Sequence, residues 1–242
     1  MIDLVYPRWS APAGIGACCT TRSGGVSAGP WADLNLGLHV DDHEADVLNN
    51  RARLREQLDL PAEPDWIHQT HGIDVVTLED EPGRDADAAI TREPGRVAVV
   101  MIADCLPILL CNRSGTEVAA VHAGWRGLQA GVVGAAVRAM HSPPAELLAW
   151  IGPAISQPCF EVGDEVRAAF IGTDPATAIR FSANRPGHWL CDLAGIAEDW
   201  LGKLGVAEVS RSDECTYRDA ERFYSYRRDG VTGRMASLIW IK

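Results

Sequence analysis

Cys105 and His122 sit at the far ends of two apolar runs, 106–111 and 118–121, which flank the turn-like stretch Asn112-Arg113-Ser114-Gly115-Thr116. That pattern reads as a β-hairpin. Its pairing puts Cys105 opposite His122, or opposite a position one or two further on. Directly opposed residues hold their Cβ atoms about 4.5–5.5 Å apart. The separation suits two ligands on one metal ion, or a Cys–His ion pair. A buried cysteine beside a hydrogen-bonded core histidine gives the same pattern, so the surrounding residues have to decide.

The stretch "DWIHQTHGIDVV" supplies a third candidate, with His68 and His71 at HxxH spacing. A turn with Gly72 leaves His71 free to project into a cleft, and His68 is its rival. With Cys105 and His122, His71 completes a Cys–His–His set with one position open, the ligand count of a catalytic zinc. Asp104 is a candidate acid/base group beside Cys105, although alternation along a strand would turn it away. After His122 comes "AGWRG", a Gly-flanked turn that feeds a helix. Arg126 therefore lies near a helix N-terminus, where an anion is favoured, and the glycines would let a ligand approach the backbone. The alternative for Arg126 is a surface salt bridge. Cys159 precedes an expected helix over 162–170, whose N-terminus would lower a thiol pKa, but packing is the simpler role.

These groups need elements to hold them. The chain has 242 residues, 47% of them hydrophobic, enough for one domain with a sizeable core. Lys and Arg number 22 against 33 Asp and Glu, a net charge of −11. That excludes a general binder of nucleic acid or anionic membrane, and any anionic ligand would need a local arginine cluster. Seven cysteines without a CxxC pair suit a reducing cytoplasm. No apolar run approaches the ~20 residues of a membrane span. The patterning predicts strands over 15–21, 65–69, 75–79, 97–123 (with the hairpin inside), 148–155, 222–226 and 234–241. Helices are expected over 44–58 with Asp42 as N-cap, 128–140, 162–170, and 192–204 with Asp192 as N-cap and Gly205 as stop. Val47, Leu48, Leu54 and Leu58 mark the inner face of the first helix. Strand pairs outnumber strand–helix–strand units, so a mixed, largely antiparallel α/β protein is expected, with residues 1–242 forming one domain.

The motifs "TTRSGGVS", "LNLG", "HQTHG", "ADCLPILLCN", "AAVHAGWRGL", "DECTY" and "FYSYRRDGVTGRMASLIW" run in order along the chain. Together they resemble the YfiH/YlmD family, called laccase-like multicopper polyphenol oxidoreductases and also assigned purine nucleoside phosphorylase and adenosine deaminase activity. The resemblance implies a four-layer α/β/β/α fold. It implies a metal site, usually zinc, on His71, Cys105 and His122. Carried over by motif, the substrate pocket would include Arg22, Asn35, Gln69, Arg126, Tyr226 and Arg227. The expected partners are purine nucleosides and inorganic phosphate, for a monomer or weak homo-oligomer. Copper can compete for the same ligands. A multicopper oxidase needs a further three-copper cluster rich in His-x-His pairs, and the seven histidines form none. A metal-free hydrolase, with Cys105 as nucleophile and His122 as base, is a further alternative, as is peptidoglycan precursor editing.

Overall fold

The computed structural model describes residues 1–80 and 85–242. Two sheets carry most of the strands. The first has the order β1 (Leu4–Val5), β2 (Ile15–Thr20), β14 (Met235–Ile241), β6 (Val97–Ile102) and β3 (Asp65–Trp66). The second runs β13 (Glu208–Arg211), β9 (Leu147–Ile151), β7 (Leu106–Asn112), β8 (Val118–Ala123), β5 (Ala88–Thr91) and β4 (Val75–Thr77). A smaller sheet joins β10 (Glu161–Gly163), β12 (His188–Cys191) and β11 (Phe181–Arg185). Pairs β3–β6, β4–β5 and β13–β9 are parallel; the other pairings are antiparallel. The mixed, largely antiparallel α/β class expected from the patterning is the one observed.

The central strands are apolar at nearly every position because both of their faces are covered. In β6, Ala98, Val100 and Ile102 join one cluster while Val97 and Val99 join another. In β7, Leu109 and Cys111 point to the first of these, whereas Leu106, Ile108 and Leu110 join a third. The shared cluster, with Trp150 and Ile239, is where the two large sheets meet. Leu54 of α1 (Glu44–Leu58) covers the outer face of the first sheet. Helices α2 (Trp125–Ala130), α3 (Val132–Ala139), α4 (Asp164–Thr173) and α5 (Leu193–Lys203) contribute to the third cluster. Among the described residues no helix is long and apolar enough to cross a membrane.

Several local expectations need correction. Asp42 does not cap α1: His43 holds that position, and Asp42 Oδ2 instead accepts from Ser27 and Asn35. Leu48 is exposed, so the inner face is carried by Val47 and Leu54 with Asn50 and Arg51. The helix expected over 128–140 is two, broken at Gly131, whose φ of 104° only glycine adopts readily. The segment 162–170 opens as strand β10 before α4, so Cys159 lies in a short turn, away from a helix N-terminus. Residues 222–226 form no strand; Phe223 and Tyr224 are buried, and α6 (Tyr226–Asp229) follows. Asp192 does cap α5, accepting from Gly195 N at 2.9 Å.

Candidate metal centre

The hairpin β7–β8 pairs Leu106 with Ala123 and Pro107 with His122. Cys105 is therefore one step beyond the last pair, where the chain crosses from β6 to β7. His122 ends β8 with its ring buried, 3% exposed. His71 comes from the turn after β3, at φ 61°, a left-handed conformation uncommon for a side chain larger than glycine. Their ligand atoms all lie within 4.8 Å of one another. Cys105 Sγ is 3.9 Å from His71 Nε2, and the two imidazoles meet edge-on with centroids 4.8 Å apart. A tetrahedral zinc would separate sulfur and nitrogen ligands by about 3.4–3.6 Å. The trio fits one ion after a small contraction.

Asp87, which the sequence reading passed over, organises all of this. It is fully buried just before β5. Oδ1 is 2.8 Å from His122 Nδ1 and accepts His71 N at 3.0 Å. Oδ2 accepts Thr70 N, Thr70 Oγ1 and Gly72 N at 3.1, 3.0 and 2.6 Å. One carboxylate thus shapes the His71 turn and leaves His122 Nε2 to the metal, the usual outer support of a ligating imidazole. Burial opposes ionisation of Asp87, but bonds from His122, Gly72 and Thr70 outweigh it and hold the carboxyl at about 2. Burial likewise opposes the Cys105 thiolate, yet His122 and His71 bring the thiol down to about 6. Burial opposes charge on His122, and Cys105 and Asp87 outweigh it, raising the imidazole to about 9. Without a metal Cys105 and His122 thus form a thiolate–imidazolium pair, and a borderline-soft divalent cation, which prefers thiolate and neutral imidazole, would bind with release of the His122 proton.

The glycines of "HAGWRG" have a packing role rather than the expected ligand-approach role. A Cβ on Gly124 would meet His71 Cδ2 at 2.9 Å and Cys105 Sγ at 3.1 Å. One on Gly127 would meet Gly72 O at 2.8 Å. The turn that carries His71 packs directly onto the start of α2.

A cavity of about 470 Å³ opens over the trio. Its lining includes His71, Cys105 and His122 together with Ile67, Gln69, Met101, Ala103, His39, Tyr226 and Arg234. Gln69 and Tyr226 of the expected pocket therefore reach it. The Gln69 amide is already spent, exchanging hydrogen bonds with Met101 N and O at 2.7 and 2.8 Å as if it were a neighbouring strand. The rival ligand His68 also lines the cavity, but it stands outside the trio with its Nδ1 2.8 Å from Asp85 Oδ1.

The remaining expected residues lie elsewhere. Arg22 donates to Ala32 O and Ala220 O and stacks over Tyr224. Asn35 is buried and accepts from Gly37 N and Arg234 N. Arg126 is outside the lining, its guanidinium 4.4 Å from the Trp125 ring centroid. Arg227 donates to Glu161 O. Asp104, at φ 98°, points away: its carboxylate accepts Thr216 Oγ1, Ser225 Oγ and Arg227 N at 2.7, 2.9 and 2.7 Å. It ties the Cys105 loop to α6 and so holds Tyr226 at the cavity rim. Arg234 and His39 were not expected in the cavity; Arg234 stands in the "FYSYRRDGVTGR" motif, but nothing in that motif separates it from its neighbouring arginines.

Comparison with known proteins places the whole chain. The family described as multi-copper polyphenol oxidoreductase laccase matches residues 16–242. Purine nucleoside phosphorylase YfiH of Escherichia coli (strain K12) is 48% identical over 243 residues, covering 100% of both chains. A purine nucleoside phosphorylase of Pseudomonas aeruginosa is 50% identical over 238 residues, 98% of this chain and 97% of the relative. A Neisseria meningitidis protein superposes with a TM-score of 0.94 at 43% identity, over 100% of this chain and 99% of that one. YlmD from Geobacillus stearothermophilus superposes with a TM-score of 0.88 at 32% identity, over 100% and 98%. With its sequence matched along nearly its whole length and its fold shared with solved relatives, this chain belongs to the YfiH family of laccase-like multi-copper polyphenol oxidoreductases.

Proposed function

We propose that the protein is a zinc-dependent purine nucleoside phosphorylase. It would cleave adenosine, inosine and methylthioadenosine with phosphate to the free base and ribose 1-phosphate. The observation that carries the reading is the convergence of His71, Cys105 and His122 on one wall of a cavity, in a chain whose relatives are named for that activity. A thiolate and two imidazoles suit zinc, and copper competes for them. Among the described residues this trio is the single group of three or more such ligands. A multicopper oxidase would need a second, larger cluster, so the phosphorylase reading is preferred to a phenol oxidase.

In phosphorolysis a phosphate oxygen forms a bond to C1′ as the C1′–N9 bond breaks. The base leaves with that electron pair and ends with the hydrogen that the phosphate brought. A bound zinc would supply Lewis-acid polarisation of a substrate oxygen. The chain's own residues shape the rest. Ile67, Met101 and Ala103 offer apolar walls for the purine faces and exclude water. Tyr226, held by the Asp104 anchor, closes the rim. Asp87 keeps His122 and the His71 turn in place. Adenosine deamination would need an acid/base group beside C6 of the base, and the Asp104 carboxylate is bonded elsewhere. A cytoplasmic location accords with seven free cysteines.

A second reading rests on Asp87, His122 and Cys105, which line up as orienting carboxylate, imidazole and thiol of a cysteine hydrolase. One experiment separates the two. Protein from metal-free culture, reconstituted with zinc, is given adenosine with and without phosphate. Adenine released only with phosphate is expected, and Cys105→Ser should lose bound zinc and turnover together. Inosine formed without phosphate would select a deaminase. Activity indifferent to chelation but abolished by thiol alkylation would select the hydrolase.

A further inference from the structure

Among the described residues Arg234 is a partly buried guanidinium with no carboxylate partner, aimed into the metal-site cavity. It is held rigidly. Its backbone N–H donates to Asn35 Oδ1 at 2.9 Å, its carbonyl accepts Leu36 N at 3.1 Å, and Nη1 donates to Thr232 O and Gly233 O, both at 3.0 Å. Nε and Nη2 make no hydrogen bond within the described residues. His39 lines the same cavity, and both side chains crowd Gly37. A Cβ there would meet Arg234 Cγ at 2.8 Å and His39 Cε1 at 3.4 Å. Burial weakens the charged form of Arg234; Cys105 and Asp104 offset this only through space, and no anion among the described residues bonds the guanidinium directly, so an anion that did would be favoured. The two arginines that the sequence offered for phosphate do not serve here: Arg22 is engaged with carbonyls, and Arg126 lies outside the cavity.

We infer that Arg234 and His39, spaced by Gly37, form the seat for a tetrahedral phosphoryl oxyanion, and that its occupant is the inorganic phosphate co-substrate. The assignment of the occupant rests on the phosphorylase reading; the seat itself rests on the geometry. The free Nε–Nη2 edge is the fork that grips two oxygens of one phosphate. Burial, then Arg234, His68 and Arg51, lower the His39 pKa, and its ring lies where an N–H can reach a third oxygen. Asn35, buried behind the site, becomes a positioning residue: it fixes the Arg234 backbone rather than touching substrate.

The test compares zinc-loaded wild type, Arg234→Gln, Arg234→Lys and His39→Ala, with Arg53→Gln on α1 as a remote charge control. Arg234→Gln should raise the KM for phosphate about 10–100-fold, the scale of a lost charged hydrogen-bond pair, with the KM for inosine nearly unchanged. Arg234→Lys should fall between, and His39→Ala, which removes no backbone support, should weaken phosphate several-fold. Isothermal titration of inorganic phosphate should give binding heat with wild type and Arg53→Gln, and none with Arg234→Gln. Wild-type phosphate KM in folded Arg234→Gln overturns the seat while leaving the phosphorylase reading standing. If Arg234→Gln does not fold, an unchanged phosphate KM in His39→Ala overturns it instead. If wild type releases base without phosphate, the phosphorylase reading fails, and the titration alone decides the seat. Saturation by AMP but not by inorganic phosphate would assign the seat to a nucleotide phosphoryl group and overturn the co-substrate assignment.

Discussion

At the scale of residues, Asp87 is the point of greatest leverage. A single carboxylate bonds the His122 imidazole, the backbone of His71 and the glycine after it, and so holds two of the three candidate metal ligands. Asp87→Asn keeps the volume but replaces one acceptor oxygen by an NH₂ group, which cannot accept from His122 or the turn. Metal affinity should fall about 10–100-fold. A chelator-competition titration checks this, and an unchanged zinc affinity would show that the ligands hold themselves. Asp104 shows the opposite lesson. It adjoins Cys105 in sequence, yet at its positive φ the carboxylate meets Thr216, Ser225 and the α6 backbone.

At the scale of elements, the site is built where β8 hands over to α2. Gly124 lies there with no room for a side chain between His71 and Cys105. Gly131, at the next junction, has open space around it but a φ of 104°. Both glycines are required, for different reasons, and the two alanine variants should separate them. Gly124→Ala should crowd the ligands and weaken zinc binding, with overpacking costing about 1–3 kcal/mol. Gly131→Ala should lower Tm by a few degrees through backbone strain, on the scale of about 1 kcal/mol, and leave zinc stoichiometry intact. Metal analysis beside thermal unfolding reads both; loss of zinc in Gly131→Ala would mean that the α2–α3 break tunes the site.

At the scale of the whole molecule, the rim of the second sheet is tied by three carboxylates, Asp87 and Glu117 buried and Glu79 half-buried. Asp87 stands before β5, Glu79 follows β4 and Glu117 precedes β8. Burial pushes each carboxyl up, and the hydrogen bonds donated to it outweigh that: Thr91 and Arg92 for Glu79, His141 and Ser142 for Glu117. All three are held below the ordinary carboxylate range. A carboxyl whose pKa is lower folded than unfolded stabilises the fold fully above its unfolded value, about 4, and loses that contribution as pH falls through the folded value. Urea midpoints of the metal-free protein should therefore decline from about pH 4 downward. Glu117→Gln should be less stable at pH 7 and show a shallower acid decline. A decline as steep as wild type would remove Glu117 from the acid-sensitive set.

The trio His71, Cys105 and His122, the β7–β8 hairpin, the cap of α5 and the mixed α/β class were all legible before any coordinates. Each rests on local signals: periodicity, turn residues, or ligand types at the ends of paired strands. Asp87 and Arg234 were not legible. "RDADAA" holds two aspartates and "RRDGVTGR" three arginines with nothing local to rank them. Which aspartate backs His71 and His122, and which arginine faces the cavity, depends on how segments around 39, 71, 105, 122 and 234 converge. That convergence is set by two sheets burying a shared apolar cluster, a long-range packing outcome that short-range patterning along the chain does not encode.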